Sequence, residues 1–133
     1  MPTKTTTEPH SGFSVYVGAG GSLSKTALDI KKALRANKVY VNQAKSFTDD
    51  FAEARDAILS SNVAIIVIGS NPMALVEGGA CLGVGVGCLW VAEEGVGPTA
   101  LCAAPMTTQQ ALSTIAEMVS GFEAKLDAEA IRQ

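Results

Sequence analysis

Residues 62–68 read NVAIIVI, an apolar segment rich in β-branched side chains. Its side chains are apolar at consecutive positions, so a strand built from them is apolar on both faces. Such a strand is typical of the centre of a parallel sheet that helices cover on each side. Gly69 and Pro72 follow the segment closely and mark its end. The segment therefore predicts an α/β domain.

Apolar strand-like segments alternate with helical patterns on both sides of this strand. Strands are expected at residues 13–17, 39–41, 62–68, 88–92 and 100–104. Ser22 or Ser24, Thr48, Asn71 and Thr107 are expected to cap the intervening helices, with Pro72 as a first helical residue and Gln110 completing a capping box. Strands that alternate with helices pair in parallel through right-handed crossovers.

We therefore expect a single-domain, flavodoxin-like three-layer α/β sandwich with a five-stranded parallel sheet. The domain is predicted to span residues 13–126, after a flexible leader (1–12) and before a solvated tail (127–133). A chain of 133 residues is long enough to bury one ordinary hydrophobic core.

Composition excludes several classes of function. The net charge is −3 and the ten Lys and Arg residues are scattered, which argues against a nucleic-acid polymer as partner. No run of about eighteen apolar residues and no signal-peptide pattern is present, so a cytoplasmic protein without a membrane partner is expected. The single histidine, His10, lies in the polar leader, and the three cysteines lie in apolar segments as expected of buried free thiols. We therefore expect neither a metal site nor a histidine base.

The glycine-rich segment VGAGGSLSKT at residues 17–26 is similar in composition to a phosphate-binding loop. It fails the P-loop pattern because Ser24, and not glycine, precedes Lys25. It also fails the dinucleotide pattern, because Leu23 stands where the third glycine belongs. Two interpretations stay open. The glycines make a tight strand-to-helix turn, or they let the backbone approach a ligand closely.

Glu77 is the carboxylate that the sequence singles out. Ligands bind beyond the carboxyl ends of parallel strands, where the loops after the first and third strands meet. Glu77 follows the third strand in an apolar helix that has almost no other charge. A carboxylate in such surroundings is desolvated with a raised pKa, or it is poised as a nucleophile. The alternative is a glutamate on a polar helix edge, and we favour the functional role.

For the other polar side chains near that edge, a structural role is at least about as well supported as a role in the site. Asp56 has to point toward the sheet edge to take part, and a solvated helix face explains it nearly as well. Glu93 and Glu94 follow the fourth strand, where an ordinary turn is favoured over a contact with a sugar. Tyr16 lies inside the first strand, from which its hydroxyl could reach the site.

These features, in this order, resemble the superfamily of nucleoside 2-deoxyribosyltransferases and deoxynucleoside monophosphate N-glycosidases. The matching parts are VYVGAGG at residues 15–21, ARDAILSSNVAIIVI at 54–68, and Glu77-Gly78-Gly79 followed by Ala80. The resemblance covers about residues 13–92. It implies that the glycine loop contacts a sugar or a 5′-phosphate, that Asp56 orients the sugar or base, and that Glu77 attacks the anomeric carbon.

The expected function is cleavage or transfer at the N-glycosidic bond of a nucleoside or nucleotide, with no cofactor. The bond breaks through an oxocarbenium-like state, which a carboxylate stabilises by charge or by covalent capture. The resemblance gives Glu77 and Asp56 as catalytic residues. It gives the substrate-binding residues as Gly18, Ala19, Gly20, Gly21, Ser22, Ser70, Asn71 and Gly79.

Two alternative functions stay open. Residues 57–72, AILSSNVAIIVIGSNP, also resemble Toll/interleukin receptor domains, some of which cleave the nicotinamide bond of NAD with a glutamate. Asn62 and Asn71 stand where the first superfamily usually has aspartates, which favours a protein that binds a nucleotide or nucleotide signal without cleaving it.

The segment VEGGACLGVGVG at residues 76–87 bears on assembly. It carries more small and hydrophobic surface than one face of a sheet needs, so we expect a homo-oligomer, a dimer or higher.

Overall fold

Strand β3 (Val63–Ile68) lies inside the sheet, and all six of its residues are buried. The protein is seen in a computed structural model that describes residues 12–20, 24–42, 51–69, 72–93 and 105–132. The described elements are, in chain order, β1 (Ser14–Gly18), α1 (Lys25–Ala36), β2 (Tyr40–Asn42), α2 (Phe51–Leu59), β3, α3 (Met73–Gly83), β4 (Cys88–Ala92) and α4 (Thr108–Arg132). The α/β class and the buried central strand are confirmed.

The four described strands form one parallel sheet in the order β2-β1-β3-β4. Strand β1 therefore lies between β2 and β3, and β3 lies between β1 and β4. After β1, the chain adds β2 on one side of it, and then adds β3 and β4 on the other side. This reversal places a topological switch point between β1 and β3.

Helices cover both faces of the sheet, because successive strand side chains point to opposite faces. Helices α1 and α4 lie on one face, over a core that includes Val15, Val17, Ile65, Val67 and Ile115. Helices α2 and α3 lie on the other, over a second cluster that includes Tyr16, Ile58, Ala64, Ile66 and Cys81. The arrangement is a three-layer sandwich.

The number of strands differs from the sequence prediction, because the described residues contain four strands where five were expected. The predicted fifth segment, 100–104, lies outside the described residues. Just beyond it, Met106 forms a parallel bridge with Val91, and its N–H donates to the Trp90 carbonyl at 2.7 Å. The chain therefore returns to the free edge of β4, where a fifth strand was expected, and the described pairing there is a single bridge.

Local capping chemistry sets several helix ends. Ser24 caps α1, and its Oγ accepts the Ala27 N–H at 3.1 Å. The capping box is confirmed, since the Thr107 N–H donates to the Gln110 side chain at 2.9 Å and the Gln110 N–H donates to Thr107 Oγ1 at 3.1 Å. Helix α3 begins at Met73 with Pro72 as its N-cap. The prediction of Pro72 as the first helical residue was therefore one position early.

The last helix is longer than the predicted domain. It continues as far as Arg132, so most of the predicted tail, 127–133, is helical. Most of the predicted leader, residues 1–11, and the predicted cap Thr48 lie outside the described residues. Among the described helices, none combines the length and the apolar character needed to cross a membrane.

Candidate functional site

The switch point between β1 and β3 has α3 directly beside it. Helix α3 contacts β3 most extensively and also contacts β1 and β4. It follows β3 after a short connection, so its first turns lie near the carboxyl ends of the strands. This is the edge at which doubly wound sheets bind ligands.

Glu77 lies in the second turn of α3 and is only 3 % exposed. Its two carboxylate oxygens have different partners. The Tyr16 hydroxyl, from the middle of β1, donates a hydrogen bond to Oε2. The Gly20 N–H, from the loop after β1, donates to Oε1 at 2.7 Å. The strand and the glycine loop together therefore fix the carboxylate of a residue that is distant in sequence.

Two glycines let the chain approach Glu77 and α3 this closely. A Cβ added to Gly18 would lie 2.4 Å from the Glu77 carboxyl carbon, so a larger residue at position 18 would displace the carboxylate from its present position. Gly20 has a φ of +73°, in the left-handed region, and a Cβ there would lie 2.4 Å from the Ala74 backbone nitrogen. The glycine loop is therefore more than a tight turn, because it forms one wall around the carboxylate.

Burial raises the pKa of Glu77, because desolvation disfavours the charged carboxylate. The Tyr16 hydroxyl, the Gly20 N–H and the positive charge of Lys31 act in the opposite direction and favour the charged form. The raised pKa agrees with the apolar surroundings that the sequence gives Glu77. Burial also raises the pKa of Tyr16, and the Glu77 charge adds to that effect. The phenol therefore keeps its proton at neutral pH and acts as a donor.

The Glu77 carboxylate can accept more hydrogen bonds than the two that the structure describes. A carboxylate oxygen has two lone pairs, and each oxygen of Glu77 accepts one described hydrogen bond. The described hydrogen bonds therefore use only part of the acceptor capacity of the carboxylate. The fixed orientation and the low-dielectric surroundings strengthen any interaction with developing positive charge.

The structure gathers only some of the predicted site residues around Glu77. Gly18 and Gly20 contact its carboxylate, and Ala19 lies between them and packs on the core under α1. Gly79 lies two residues after Glu77, on a different side of α3, and a Cβ there would meet nothing within 4 Å. The predicted positions Gly21, Ser22, Ser70 and Asn71 lie outside the described residues.

Asp56 is not brought to Glu77. It lies on α2 with its side chain 74 % exposed, and its carboxylate is 3.9 Å from the Arg55 side chain. The solvated helix face that the sequence offered as an alternative accounts for this position. The orienting role that the resemblance implies for Asp56 has no geometric support here.

Asn62, which stands where the superfamily usually has aspartate, lies at the opposite edge of the sheet. Its Oδ1 accepts the Ser14 N–H at 2.9 Å, at the amino end of β1. Its own N–H donates to the Ser14 carbonyl at the same distance. Asn62 therefore joins β3 to β1 far from Glu77, and its identity takes no group away from the candidate site.

Sequence reasoning did not place Tyr16 or Glu93 among the site residues. The signal for Tyr16 was alternation, because Tyr16 and Gly18 are two residues apart on β1 and so share a face of the sheet. Glu93 is the first residue after β4, and its carboxylate lies over Gly69, where an added Cβ would be 2.5 Å from Oε1. Nothing local in the sequence pairs Glu93 with the glycine after β3.

The described residues hold no cluster of three or more His, Cys, Asp or Glu side chains that could bind a metal ion. Cys81 is buried and Cys88 is half-buried, both as free thiols, as predicted. The Cys88 Sγ lies 3.6 Å from the Gly78 carbonyl oxygen. The third cysteine, Cys102, lies outside the described residues. Both described thiols belong to the packing between α3 and β4.

Comparison of the chain with known family models, with curated proteins and with solved structures gave no match.

Proposed function

We propose that this protein cleaves or transfers the N-glycosidic bond of a nucleoside or nucleotide, with the Glu77 carboxylate as nucleophile or as stabiliser of an oxocarbenium-like state. The observation that carries the proposal is the carboxylate itself. It is buried at the switch point of the sheet, and both of its oxygens are held in place by β1 and the glycine loop. A carboxylate held in one orientation, at the edge where such sheets bind ligands, can stabilise a transition state more strongly than the bound substrate.

In the covalent form of the reaction, a lone pair of Glu77 attacks the anomeric carbon. The carbon–nitrogen bond breaks, and its electron pair leaves with the base, which takes up a proton from water. A glycosyl ester on Glu77 results. Water, or the nitrogen of a second base, then attacks the anomeric carbon and frees the carboxylate. The first acceptor gives hydrolysis and the second gives transfer.

Tyr16 and Gly20 act through Glu77 in this scheme. Their hydrogen bonds favour the charged carboxylate, which is the form that attacks or stabilises the cation. Because the pKa of Tyr16 is raised, its phenol stays protonated and is assigned no proton transfer. The Gly18 position leaves the space into which the carboxylate fits.

A second candidate function is binding of a nucleotide or nucleotide signal without cleavage. It is favoured by the same geometry, since both Glu77 oxygens already accept hydrogen bonds within the protein and the residue is almost fully buried. In that case the carboxylate holds the glycine loop in shape, and the loop contacts the ligand.

The compartment, the complete sheet, the cofactors and the partners belong to the same proposal. We propose a cytoplasmic protein with a flavodoxin-like layout that a fifth strand completes beside Met106. The reaction uses no cofactor, and neither a nucleic-acid polymer nor a membrane is a partner.

The test is a screen of nucleosides, 5′-nucleotides and NAD for release of free base, run beside a thermal-shift binding assay. The wild type is compared with Glu77→Gln and Glu77→Ala. Glu117→Gln is the matched control, because Glu117 is exposed on α4 and its substitution removes the same charge. We expect the wild type and the control to release base and both Glu77 variants to lose about 100-fold or more of that rate, as expected for loss of a nucleophile.

Each other outcome decides against one candidate. Base release that survives in Glu77→Ala overturns the role of Glu77. Binding of a nucleotide with no release by the wild type favours the non-catalytic function. Release of nicotinamide from NAD alone favours the alternative resemblance to Toll/interleukin receptor domains.

A further inference from the structure

Cys81 and Cys88 lie where the end of α3 meets the beginning of β4. Cys81 is in the last turn of α3 and is fully buried, whereas Cys88 is the first residue of β4 and is half-buried. The connection between them is short and folds back onto the helix, because the Val86 N–H donates to the Cys81 carbonyl at 2.9 Å. The fold therefore brings the two cysteines to the same end of the α3–β4 contact.

Gly78 lets β4 approach α3 closely at this point. An added Cβ on Gly78 would lie 2.1 Å from the Trp90 ring, and the Cys88 Sγ lies 3.6 Å from the Gly78 carbonyl oxygen. Cys81 follows Gly78 by three positions, so the two residues lie on neighbouring turns of one side of the helix. Cys88 therefore lies over the part of α3 that carries Cys81, and the two thiols form a hydrogen bond with each other.

The surroundings of the two thiols differ in a way that gives them different reactivity. The hydrogen bond with Cys88, together with burial, raises the pKa of Cys81. The same hydrogen bond lowers the pKa of Cys88, although burial acts in the opposite direction. Oxidants react with thiolates that they can reach. Cys88 is therefore the thiol that reacts first, and Cys81 is the neighbour that can attack its oxidised sulfur.

We propose that Cys81 and Cys88 are a redox-active thiol pair, which a hydroperoxide converts to a disulfide that joins α3 to β4. The Cys88 thiolate attacks one oxygen of the hydroperoxide and the O–O bond breaks. The other oxygen leaves as water or an alcohol after taking up a proton, and Cys88 becomes a sulfenic acid. The Cys81 sulfur then attacks the Cys88 sulfur, the S–O bond breaks, and the oxygen leaves as water with the Cys81 proton. The two thiols give up two electrons, which reduce the hydroperoxide.

The experiment locates the disulfide in the full chain by mass spectrometry. The protein is treated with hydrogen peroxide, unfolded with an alkylating reagent that blocks every remaining thiol, and cleaved after glutamate. One fragment spans residues 78–93 and holds Cys81 and Cys88 but not Cys102. We expect this fragment to carry no alkyl group and to have lost two hydrogen atoms. A thiol reductant added before alkylation should restore two alkylated cysteines.

Three variants separate the roles of the cysteines. In Cys81→Ala the oxidation of Cys88 should stop at the sulfenic acid, which dimedone captures. In Cys88→Ala the buried Cys81 should react with peroxide more slowly than the wild-type pair by about tenfold or more, because it is shielded and protonated. Cys102→Ala is the matched control outside the described residues, and it should form the disulfide in fragment 78–93 at the wild-type rate.

Three results overturn the proposal. The first is a wild-type fragment 78–93 that stays alkylated at both cysteines after peroxide treatment, which would leave the pair with a packing role alone and needs no variant to fold. The second is a wild type in which Cys88 proceeds to sulfinic acid, or pairs with Cys102, in place of bonding to Cys81. The third is a Cys88→Ala protein, folded by circular dichroism, that reacts as fast as the wild type. None of these measurements uses base release, so they stand apart from the test of Glu77.

Discussion

The Tyr16 hydroxyl donates a hydrogen bond to Oε2 of Glu77, a residue 61 positions later in the chain. The contact joins the middle of β1 to the second turn of α3, across the face of the sheet. With the Gly20 N–H on Oε1, it fixes the carboxylate at both oxygens. The orientation of the Glu77 carboxylate therefore depends on β1 and its loop, and of these two donors Tyr16 is the one whose side chain can be changed.

Tyr16→Phe removes this donor and leaves the ring in place. The hydrogen bond favours the charged carboxylate, so its loss raises the pKa of Glu77 further. We expect the acidic limb of the pH–rate profile for base release to move to higher pH. The free energy of unfolding at pH 7 should fall by about 1.5–3 kcal/mol, the range for hydrogen bonds to charged groups. Urea unfolding measures the second effect.

Tyr40→Phe is the control for this change, since Tyr40 is the other tyrosine of the chain and lies half-exposed on β2. It should leave the acidic limb where it is. A Tyr16→Phe protein with an unshifted acidic limb would show that the Tyr16 hydroxyl does not tune Glu77.

The raised pKa of Glu77 also predicts how stability depends on pH. A carboxyl group whose pKa is higher in the folded state binds more protons there than in the unfolded chain. Its contribution to stability is therefore fully present below the ordinary value of 4.5 and is lost as pH rises through the raised folded pKa. One group changes the free energy of unfolding by at most about 1.4 kcal/mol per pH unit.

Glu77→Gln removes this titration. We expect the wild type to lose stability relative to Glu77→Gln as the pH increases from 4 toward 8, measured by urea unfolding at each pH. Glu117→Gln should run parallel to the wild type. Parallel curves for the wild type and Glu77→Gln would contradict the raised pKa.

Local sequence signals predicted most of the described elements of the fold. NVAIIVI predicted a buried strand because consecutive apolar side chains need cover on both faces. Ser24 and the Thr107–Gln110 pair predicted helix starts because their side chains satisfy backbone N–H groups nearby in the chain. The predicted start of α3 was off by one residue, as is usual where a helix end lacks a side-chain cap.

The candidate site was predictable only in part, because its contacts connect distant segments. The apolar neighbours of Glu77 indicated a buried carboxylate, and the switch-point rule indicated its place beside Gly18. Its hydrogen bond from Tyr16 depends on the packing of α3 on β1, which no local pattern encodes. For Asp56 the motif suggested a place in the site, but the side chain is exposed on α2. A motif match does not determine which face of a helix points toward the site.

Helix α3 offers an uncharged apolar surface that predicts self-association. Val76 is 53 % exposed and Leu82 is 49 % exposed, and the only charged residue of the helix, Glu77, is buried. A second copy of the chain is the occupant that we propose for this surface, as the small and apolar composition of residues 76–87 indicates. We expect light scattering to give a dimer or higher at micromolar concentration, and Val76→Lys to shift the mass toward the monomer. A monomeric wild type would contradict the prediction.

Gly78 and Gly79 are neighbours on α3, yet substitution by alanine should have opposite effects. A Cβ on Gly78 would lie 2.1 Å from the Trp90 ring, whereas a Cβ on Gly79 would meet nothing within 4 Å. Gly78→Ala should lower the free energy of unfolding by about 1–3 kcal/mol, because the ring must move to relieve the overlap. Gly79→Ala should raise it by about 0.5–1 kcal/mol, since alanine favours the helix over glycine and fills open space. Urea unfolding of the two variants measures both signs, and a stabilised Gly78→Ala would show that Trp90 does not pack on α3 as described.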